Sequence, residues 1–368
     1  TARSADGDGA TAEAFVLLAT EKPRGAPRSL RNLEAFPRSL TRSGRVRACP
    51  GVLDRTCHAL VIGPVTRSRP PRSRPPPGRA TPRTMRFKAR LQNEGIIVFS
   101  NIISALDKIG SKCMMHLTKE KINFAVLMSE SYEQDVSAYA DLNVPDIFGE
   151  WRIESQCDNC IFLEFTLKNL TDALNSAKKA PVCSLKLTKR AGQPCICIET
   201  KAMEVNVAHD MPVKCMRASE YDYYMPPQMS KQDVQLELPI SKTLKHVIER
   251  SRTLSKNVII DGHQTGQMAV RIETDAVAIR SFFSDLRPRM ENMEDEDMNN
   301  SASVKVDAKK LAMVLNCYNV RHESIIMCLV HETNLVICVT LAPRATGVMT
   351  FFIPCISMDE SDHARGGG

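Results

Sequence analysis

The chain has 368 residues, enough for two domains of ordinary size, and a formal net charge of +7. That charge is unevenly placed: residues 1–84 hold 15 Arg and 1 Lys against 6 acidic residues, whereas the remainder has a net charge of −3. A nucleic-acid-binding surface must therefore come from a local concentration of Lys and Arg in the second part. The absence of a long apolar run argues against a membrane span, and the 13 irregularly spaced cysteines favour a reducing, intracellular location.

The first 84 residues contain 11 of the 21 prolines together with Arg-rich and Ser-rich text. Such a segment buries too little apolar surface to fold by itself. A basic arm or an organellar transit peptide is an alternative, but the acidic residues and the density of proline disfavour an amphipathic transit helix. We predict a disordered or artefactual leader at 1–84 and a folded unit that begins at Met85.

The first predicted domain covers residues 85–216. It opens with an alternating strand at Met85, and the helix that follows carries apolar residues at helical spacing, namely Ile96, Phe99, Ile103 and Leu106. Several strands then lead to a second strand-then-helix unit, residues 162–179, in which Thr166 is the predicted N-cap. Three more strands complete the domain, so we predict an α+β fold with antiparallel sheet and two helices on one face.

The same order of elements returns in a second predicted domain, residues 232–357. Its two helices begin near Ser241 and after Asp307, which are the predicted N-caps. Strand-then-helix therefore occurs four times, which predicts two similar domains. The remaining segments are predicted to be an interdomain connecting loop at 217–231, an acidic solvated loop at 290–300 and a disordered tail at 358–368.

Enzyme signatures are missing from the sequence: it has no Gly-rich phosphate loop, no G-x-S-x-G, no H-E-x-x-H and no paired-carboxylate motif. The strongest metal candidate is the C-x-x-C of Cys157 and Cys160, but zinc needs four ligands and no second pair accompanies it. A loop thiol and a strand thiol are the favoured interpretation. His209 and His246 lie in strand and helix text, where a structural imidazole is commoner. We predict no catalytic residue, no metal and no cofactor.

Positive charge concentrates on the predicted helices, on the sides opposite their apolar stripes. Each helix taken singly is an ordinary solvated face. If all the helices pack on one side of a continuous sheet, these faces form one basic surface that suits sequence-independent contact with phosphates. The predicted DNA-facing residues are Lys168, Lys178, Lys179, Lys242, Lys245, Arg250, Arg252, Lys309 and Lys310.

Four strand-then-helix units, basic helices and a central linker resemble the DNA sliding clamps, the family of PCNA. Several segments further resemble the Hus-type subunit of the heterotrimeric checkpoint clamp: MRFKARL at 85–91, AHDMPVK at 208–214, LPISKTLKHVIE at 238–249, RIET at 271–274 and FFIPCIS at 351–357. The resemblance covers residues 85 to about 357. The leader and the acidic loop depart from the pattern.

This resemblance implies a sliding-clamp fold, with sheets outside and helices inside, in which three two-domain subunits close around DNA. It implies a nuclear, non-catalytic subunit that acts in checkpoint signalling and repair. The implied partners are two paralogous clamp subunits, an ATP-driven clamp loader, repair enzymes and double-stranded DNA without sequence specificity, with no membrane involved.

Two further sets of site residues also come from the resemblance. The implied ring contacts are edge strands containing Met203, Val205, Val207, Ala276, Ala278 and Arg280. The linker tyrosines Tyr221, Tyr223 and Tyr224 are implied to lie beside a pocket for partner peptides, with packing on the domain junction as the alternative. A homotrimeric replicative clamp remains a rival function, whereas a nuclease is disfavoured because the acidic cluster lies in a flexible loop.

Overall fold

This computed structural model describes residues 15–17, 85–129, 135–156, 158–201, 205–229, 231–274, 277–289, 299–343 and 346–358. Several sequence-based predictions fall outside these residues: most of the leader, Cys157, Met203, Ala276, most of the acidic loop and the end of the tail. From the first 84 residues the structure describes strand β1, Phe15–Leu17.

The N-terminal half contains nine strands and three helices among the described residues. In chain order they are β2 Arg86–Gln92, α1 Asn93–Leu106, β3 Lys112–Leu117, β4 Lys121–Leu127, β5 Ser137–Asn143, α2 Val144–Ile147, β6 Phe148–Glu154, β7 Ile161–Thr166, α3 Leu167–Ala177, β8 Val182–Arg190, β9 Gln193–Lys201 and β10 Asn206–Pro212. The short helix α2 was not predicted. The other elements follow the predicted order.

After the linker, the C-terminal half repeats that order. The elements of the linker and of this half are β11 Lys214–Cys215, α4 Ala218–Tyr221, a 3-10 helix Asp222–Tyr224, β12 Val234–Glu237, α5 Thr243–Leu254, β13 Asn257–His263, β14 Gln267–Glu273, β15 Ala278–Phe283, β16 Arg287–Pro288, β17 Ser301–Asp307, α6 Ala308–Val314, a 3-10 helix Leu315–Asn319, β18 His322–Val330, β19 Asn334–Leu341 and β20 Gly347–Pro354. The linker was predicted to lack periodic structure, yet it contains two helical turns.

The described strands all pair antiparallel, in three sheets. One sheet has the order β10-β9-β8-β2-β6, a second has β1-β15-β14-β13-β17, and a ten-stranded sheet has β11-β7-β3-β4-β5-β20-β19-β18-β12-β16. The ten-stranded sheet runs through both halves because β5 pairs with β20. At that junction Gly347 has φ +138°, and a Cβ there would lie 2.0 Å from the carbonyl oxygen of Asp141. Only glycine therefore fits this close approach of two strands.

The long helices lie against the sheets through the apolar residues that the periodicity predicts. Ile96, Phe99, Ile103 and Leu106 of α1 are at most 1% exposed, and Leu170 and Leu174 of α3 are similarly buried. Helix α1 packs against α3, and α5 packs against α6. Since burial of a large apolar side chain contributes about 1.5–3 kcal/mol, these stripes fix which side of each helix stays in water.

The helix N-termini show where local sequence rules hold and where they fail. Asp307 caps α6 as predicted, because its Oδ1 accepts the backbone N–H groups of Lys309 at 2.8 Å and Lys310 at 3.0 Å. Thr166 occupies the N-cap position of α3 without a side-chain cap bond. The prediction of Ser241 as the cap of α5 is wrong, because the N-cap residue is Lys242. The Ser241 hydroxyl lies 3.1 Å from the hydroxyl of Thr243 instead.

Candidate functional site

The nine predicted DNA-facing side chains divide into two groups. Four have protein partners. Lys168 Nζ lies 3.9 Å from Asp172 Oδ2. Lys242, Lys245 and Lys310 are held by hydrogen bonds or ion pairs with residues of other elements, at distances of 3.0, 3.0 and 2.9 Å.

Lys245 differs most from its sequence-based placement on the outer side of its helix. Its side chain is 13% exposed, and Nζ donates to Asn316 Oδ1 at 3.0 Å. The physical reason is that α5 packs against α6, so the stem of Lys245 lies between the helices and its Nζ reaches Asn316 of the 3-10 helix after α6. Lys310 is also inward, with Asp135 Oδ1 at 2.9 Å.

The other five residues are exposed and are named here the free cations. They are Lys178, Lys179, Arg250, Arg252 and Lys309. Among the described residues, no hydrogen bond or ion pair engages their charged groups. Helix α1 adds no cation, since Glu94 is its one charged residue and the exposed side chain at Ile97 is apolar. The basic helix surface is thus concentrated on α5, the start of α6 and the end of α3.

The linker is held on the outer face of the sheet by an aromatic cluster. The Tyr221 ring centroid lies 4.9 Å from that of His116 and 5.1 Å from that of Phe162, and His116 stacks on Phe162 at 4.4 Å. Burial lowers the pKa of His116, whose Nε2 is buried with no hydrogen-bond partner among the described residues. Burial, with the nearby Asp141 carboxylate, raises the pKa of Tyr221. Both groups are therefore held neutral, as an apolar anchor requires.

Beyond this anchor the linker forms one wall of an open pocket of about 670 Å³, the linker pocket. It is lined by Asp222, Tyr223, Met225, Pro226, Pro227, Gln228, Thr333, Asn334, Phe352 and Pro354. The Tyr223 side chain is 51% exposed and meets Tyr224 edge to face at 5.4 Å. Asn334 Oδ1 is buried without a hydrogen-bond partner among the described residues. The pocket lining therefore combines apolar residues with several polar ones.

The predicted ring contacts lie on β10, which is an edge strand, and on β15, which is not. Strand β10 is the last strand of its sheet, with Val205 just before it 58% exposed and Val207 within it 38% exposed. On β15, Ala278 is exposed and Arg280 is half-buried. The backbone edge of β15 pairs here with β1, with Leu17 opposite Arg280. Exposed apolar residues on an edge strand such as β10 are characteristic of surfaces that pair with another chain. The prediction that β15 is an edge strand is wrong for this structure, because β1 pairs with it.

Within the described residues, no three His, Cys, Asp or Glu side chains lie close enough together to hold a metal ion. Cys160 Sγ lies 3.9 Å from the Asp158 carbonyl oxygen, and its predicted companion Cys157 is outside the described residues. Among the described helices, none combines the length and apolar character that a membrane span needs.

Comparison with known proteins decides the family. Residues 85–357 match the family described as Hus1-like protein. The chain belongs to the Hus1-like family. It is 28% identical over 243 residues to Checkpoint protein HUS1 of Homo sapiens, which covers 63% of this chain and 86% of that protein. It is 26% identical over 288 residues to Checkpoint protein hus1 of Schizosaccharomyces pombe, which covers 73% of this chain and 98% of that protein.

Solved structures identify the fold of this Hus1-like chain. PCNA of Thermococcus kodakaraensis superposes with a TM-score of 0.54 at 15% identity and covers 73% of this chain and 100% of its own. Proliferating Cellular Nuclear Antigen of Entamoeba histolytica gives 0.56 at 12% identity, covering 74% and 99%. The predicted sliding-clamp fold is confirmed for this member of the Hus1-like family.

Sequence reasoning did not find several residues that shape these surfaces. His116 and Phe162 anchor the linker, Asn334 lines its pocket, and Asp135 pairs with Lys310. His116 and Phe162 lie directly opposite each other on β3 and β7. Because their strands are distant in sequence, only the register of the sheet brings the two rings together.

Proposed function

We propose that this Hus1-like chain is one of three different subunits of a ring that encircles double-stranded DNA. The ring acts as a platform for checkpoint and repair proteins in the nucleus and carries out no chemistry of its own. The observation that carries this proposal is the separation of charge, with free cations on the helices of a folded part whose net charge is −3. Encirclement retains the DNA by topology, so weak and screened phosphate contacts are sufficient.

The free cations are the proposed phosphate contacts. Their guanidinium and ammonium groups have no protein partner among the described residues, so pairing with a phosphate breaks no existing ion pair. Lys245 and Lys310 contribute through packing and ion pairing instead, because their side chains face protein groups. Exposed cations of this kind bind every DNA sequence alike, and their affinity for DNA falls as the salt concentration rises.

Ring closure is proposed to occur through β10 of one subunit and β15 of the next, with the neighbouring subunit taking the place of β1 beside β15. Such a contact is heterologous, because two different edges meet, and rotation by one third of a turn closes a ring of three. Two paralogous subunits would supply the complementary edges in the heterotrimer. A homotrimeric clamp is the alternative, and it differs in requiring that β10 pair with β15 of an identical chain.

The linker pocket is proposed to receive a peptide from partner enzymes. Its walls, which include Met225, Phe352 and Pro354, suit an apolar side chain. The polar side chains of Asp222, Gln228 and Thr333 in the same lining are the proposed hydrogen-bonding groups for that peptide. An apolar anchor with a few well-placed polar groups gives affinity and orientation together.

Co-expression with the two paralogous clamp subunits tests the proposal. We expect a 1:1:1 complex on gel filtration, retention on circular DNA after loading by an ATP-driven clamp loader, and release when the circle is cut. A stable trimer of the purified chain alone would instead favour the homotrimeric clamp. A complex that leaves circular and linear DNA equally fast would contradict encirclement.

A further inference from the structure

The two halves of the chain meet both within the ten-stranded sheet and on its helix side. Strands β5 and β20 pair backbone to backbone, from Leu142 opposite Gly347 to Ser137 opposite Phe352. On the helix side, Lys310 Nζ of α6 lies 2.9 Å from Oδ1 of Asp135, which leads into β5. Helix α1 also packs against the 3-10 helix that follows α6. The ion pair therefore joins the C-terminal half to the N-terminal half.

Both partners of this ion pair are fixed by their own elements. The backbone N–H of Lys310 donates to the Asp307 cap at 3.0 Å, which holds the first turn of α6. Asp135 Oδ1 also accepts the backbone N–H of Val136 at 3.0 Å, and Val136 is 1% exposed. The Lys310 and Asp135 side chains are 29% and 22% exposed. Partial exclusion of water makes their attraction stronger than that of an exposed pair.

Hydrogen bonds between two strands fix the distance between them but not their twist angle. Across known sheets, the twist angle between neighbouring strands covers a range of about 25°. A second contact on the helix side removes that freedom. We propose that Asp135 and Lys310 set the angle between the two halves of the subunit and that this angle decides whether the ring closes. The ring-closure step rests on the proposed function. Lys310 is then a positioning residue, not a phosphate contact.

The chain offers a matched control at the preceding residue. Lys309 lies on the same first turn of α6, is exposed, and has no ion-pair partner among the described residues. Lys309→Glu and Lys310→Glu therefore give the same net charge at nearly the same place. An electrostatic role in DNA binding predicts similar effects of the two changes, whereas an angle-setting role predicts different ones.

The experiment compares Lys309→Glu, Lys310→Glu, Asp135→Lys and the charge-swapped double variant Asp135→Lys with Lys310→Glu in the full chain. Amide hydrogen exchange at β5 and β20 is measured on the isolated subunit, with β13 and β14 as internal reference. We expect Lys310→Glu and Asp135→Lys to speed exchange at the junction about fivefold and to lower the yield of complex with the paralogous subunits. Lys309→Glu should leave both unchanged, and the charge swap should restore both.

Three results would overturn the inference: unchanged exchange in Lys310→Glu, equal effects of Lys309→Glu and Lys310→Glu, or a charge swap that fails to restore exchange and assembly. Retention on DNA gives a further criterion. If Lys310 binds phosphate, the swapped variant would assemble but would still lose DNA retention. An unaltered chain that forms no complex with the paralogous subunits would contradict the proposed function and the ring-closure step, while exchange on the isolated chain still tests the angle-setting role.

Discussion

Replacing Tyr221 with Ala should separate the anchoring of the linker from the binding of partners. The half-buried Tyr221 ring contacts His116 at 4.9 Å and Phe162 at 5.1 Å between centroids. Each aromatic contact contributes about 0.5–1.5 kcal/mol, and truncating a fully buried large ring costs about 3–5 kcal/mol. For a half-buried ring with two such contacts, we expect Tyr221→Ala to lower the free energy of unfolding by about 2 kcal/mol.

The matched control is Tyr223→Ala in the same linker. The Tyr223 side chain is 51% exposed and lines the linker pocket, so its removal should change the free energy of unfolding by about 0.5 kcal/mol or less. It should nevertheless weaken binding of a synthetic peptide taken from a repair enzyme that co-purifies with the clamp. Urea unfolding measures the first quantity, and calorimetric titration of the peptide measures the second.

Two outcomes would refute this division of roles. Equal losses of stability in the two variants would show that Tyr223 packs on the domain junction as firmly as Tyr221 does. Unchanged stability in Tyr221→Ala, with amide exchange in the linker also unchanged, would show that the aromatic cluster does not hold the linker. A Tyr221→Phe variant should keep most of the stability, because the ring and not the hydroxyl makes these contacts.

The remaining predictions concern charge, the leader and pH. Arg250→Glu with Arg252→Glu should preserve ring assembly and reduce the slope of log affinity for DNA against log salt by about 2, which a salt titration measures; an unchanged slope would exclude these two contacts. Lys245→Glu should instead lower the melting temperature, because the ammonium of a side chain that is 13% exposed would be replaced by an acid beside Asn316. A chain beginning at Met85 should melt and assemble as the full chain does, and failure of either would move the domain boundary. The depressed pKa of His116 makes its neutral form the native one; stability should therefore fall as pH drops through about 6.5 toward that lower pKa, and denaturation curves of His116→Phe should lose this component.

Sequence pattern was sufficient for the long helices, for most of the strands and for their repetition, but not for the short helix α2 or the helical turns of the linker. The apolar spacing of Ile96, Phe99 and Ile103 identifies one side of α1 as buried, because helical geometry places those residues on a single face. Asp307 marks the start of α6 because a carboxylate directly before a helix satisfies its unpaired N–H groups. These are local relationships, and together with the quoted segments they were enough to indicate the clamp fold and the Hus-type family.

The roles of individual side chains depended on tertiary structure. Lys242 and Lys245 follow the same helical pattern, yet contact with the next helix leaves the first exposed and encloses the second. Tyr221 and Tyr223 have the same composition around them, but only the register of distant strands places His116 and Phe162 beneath Tyr221. Sequence determines which face of an element is apolar. The packing of separate elements decides which polar residues meet and which remain in water.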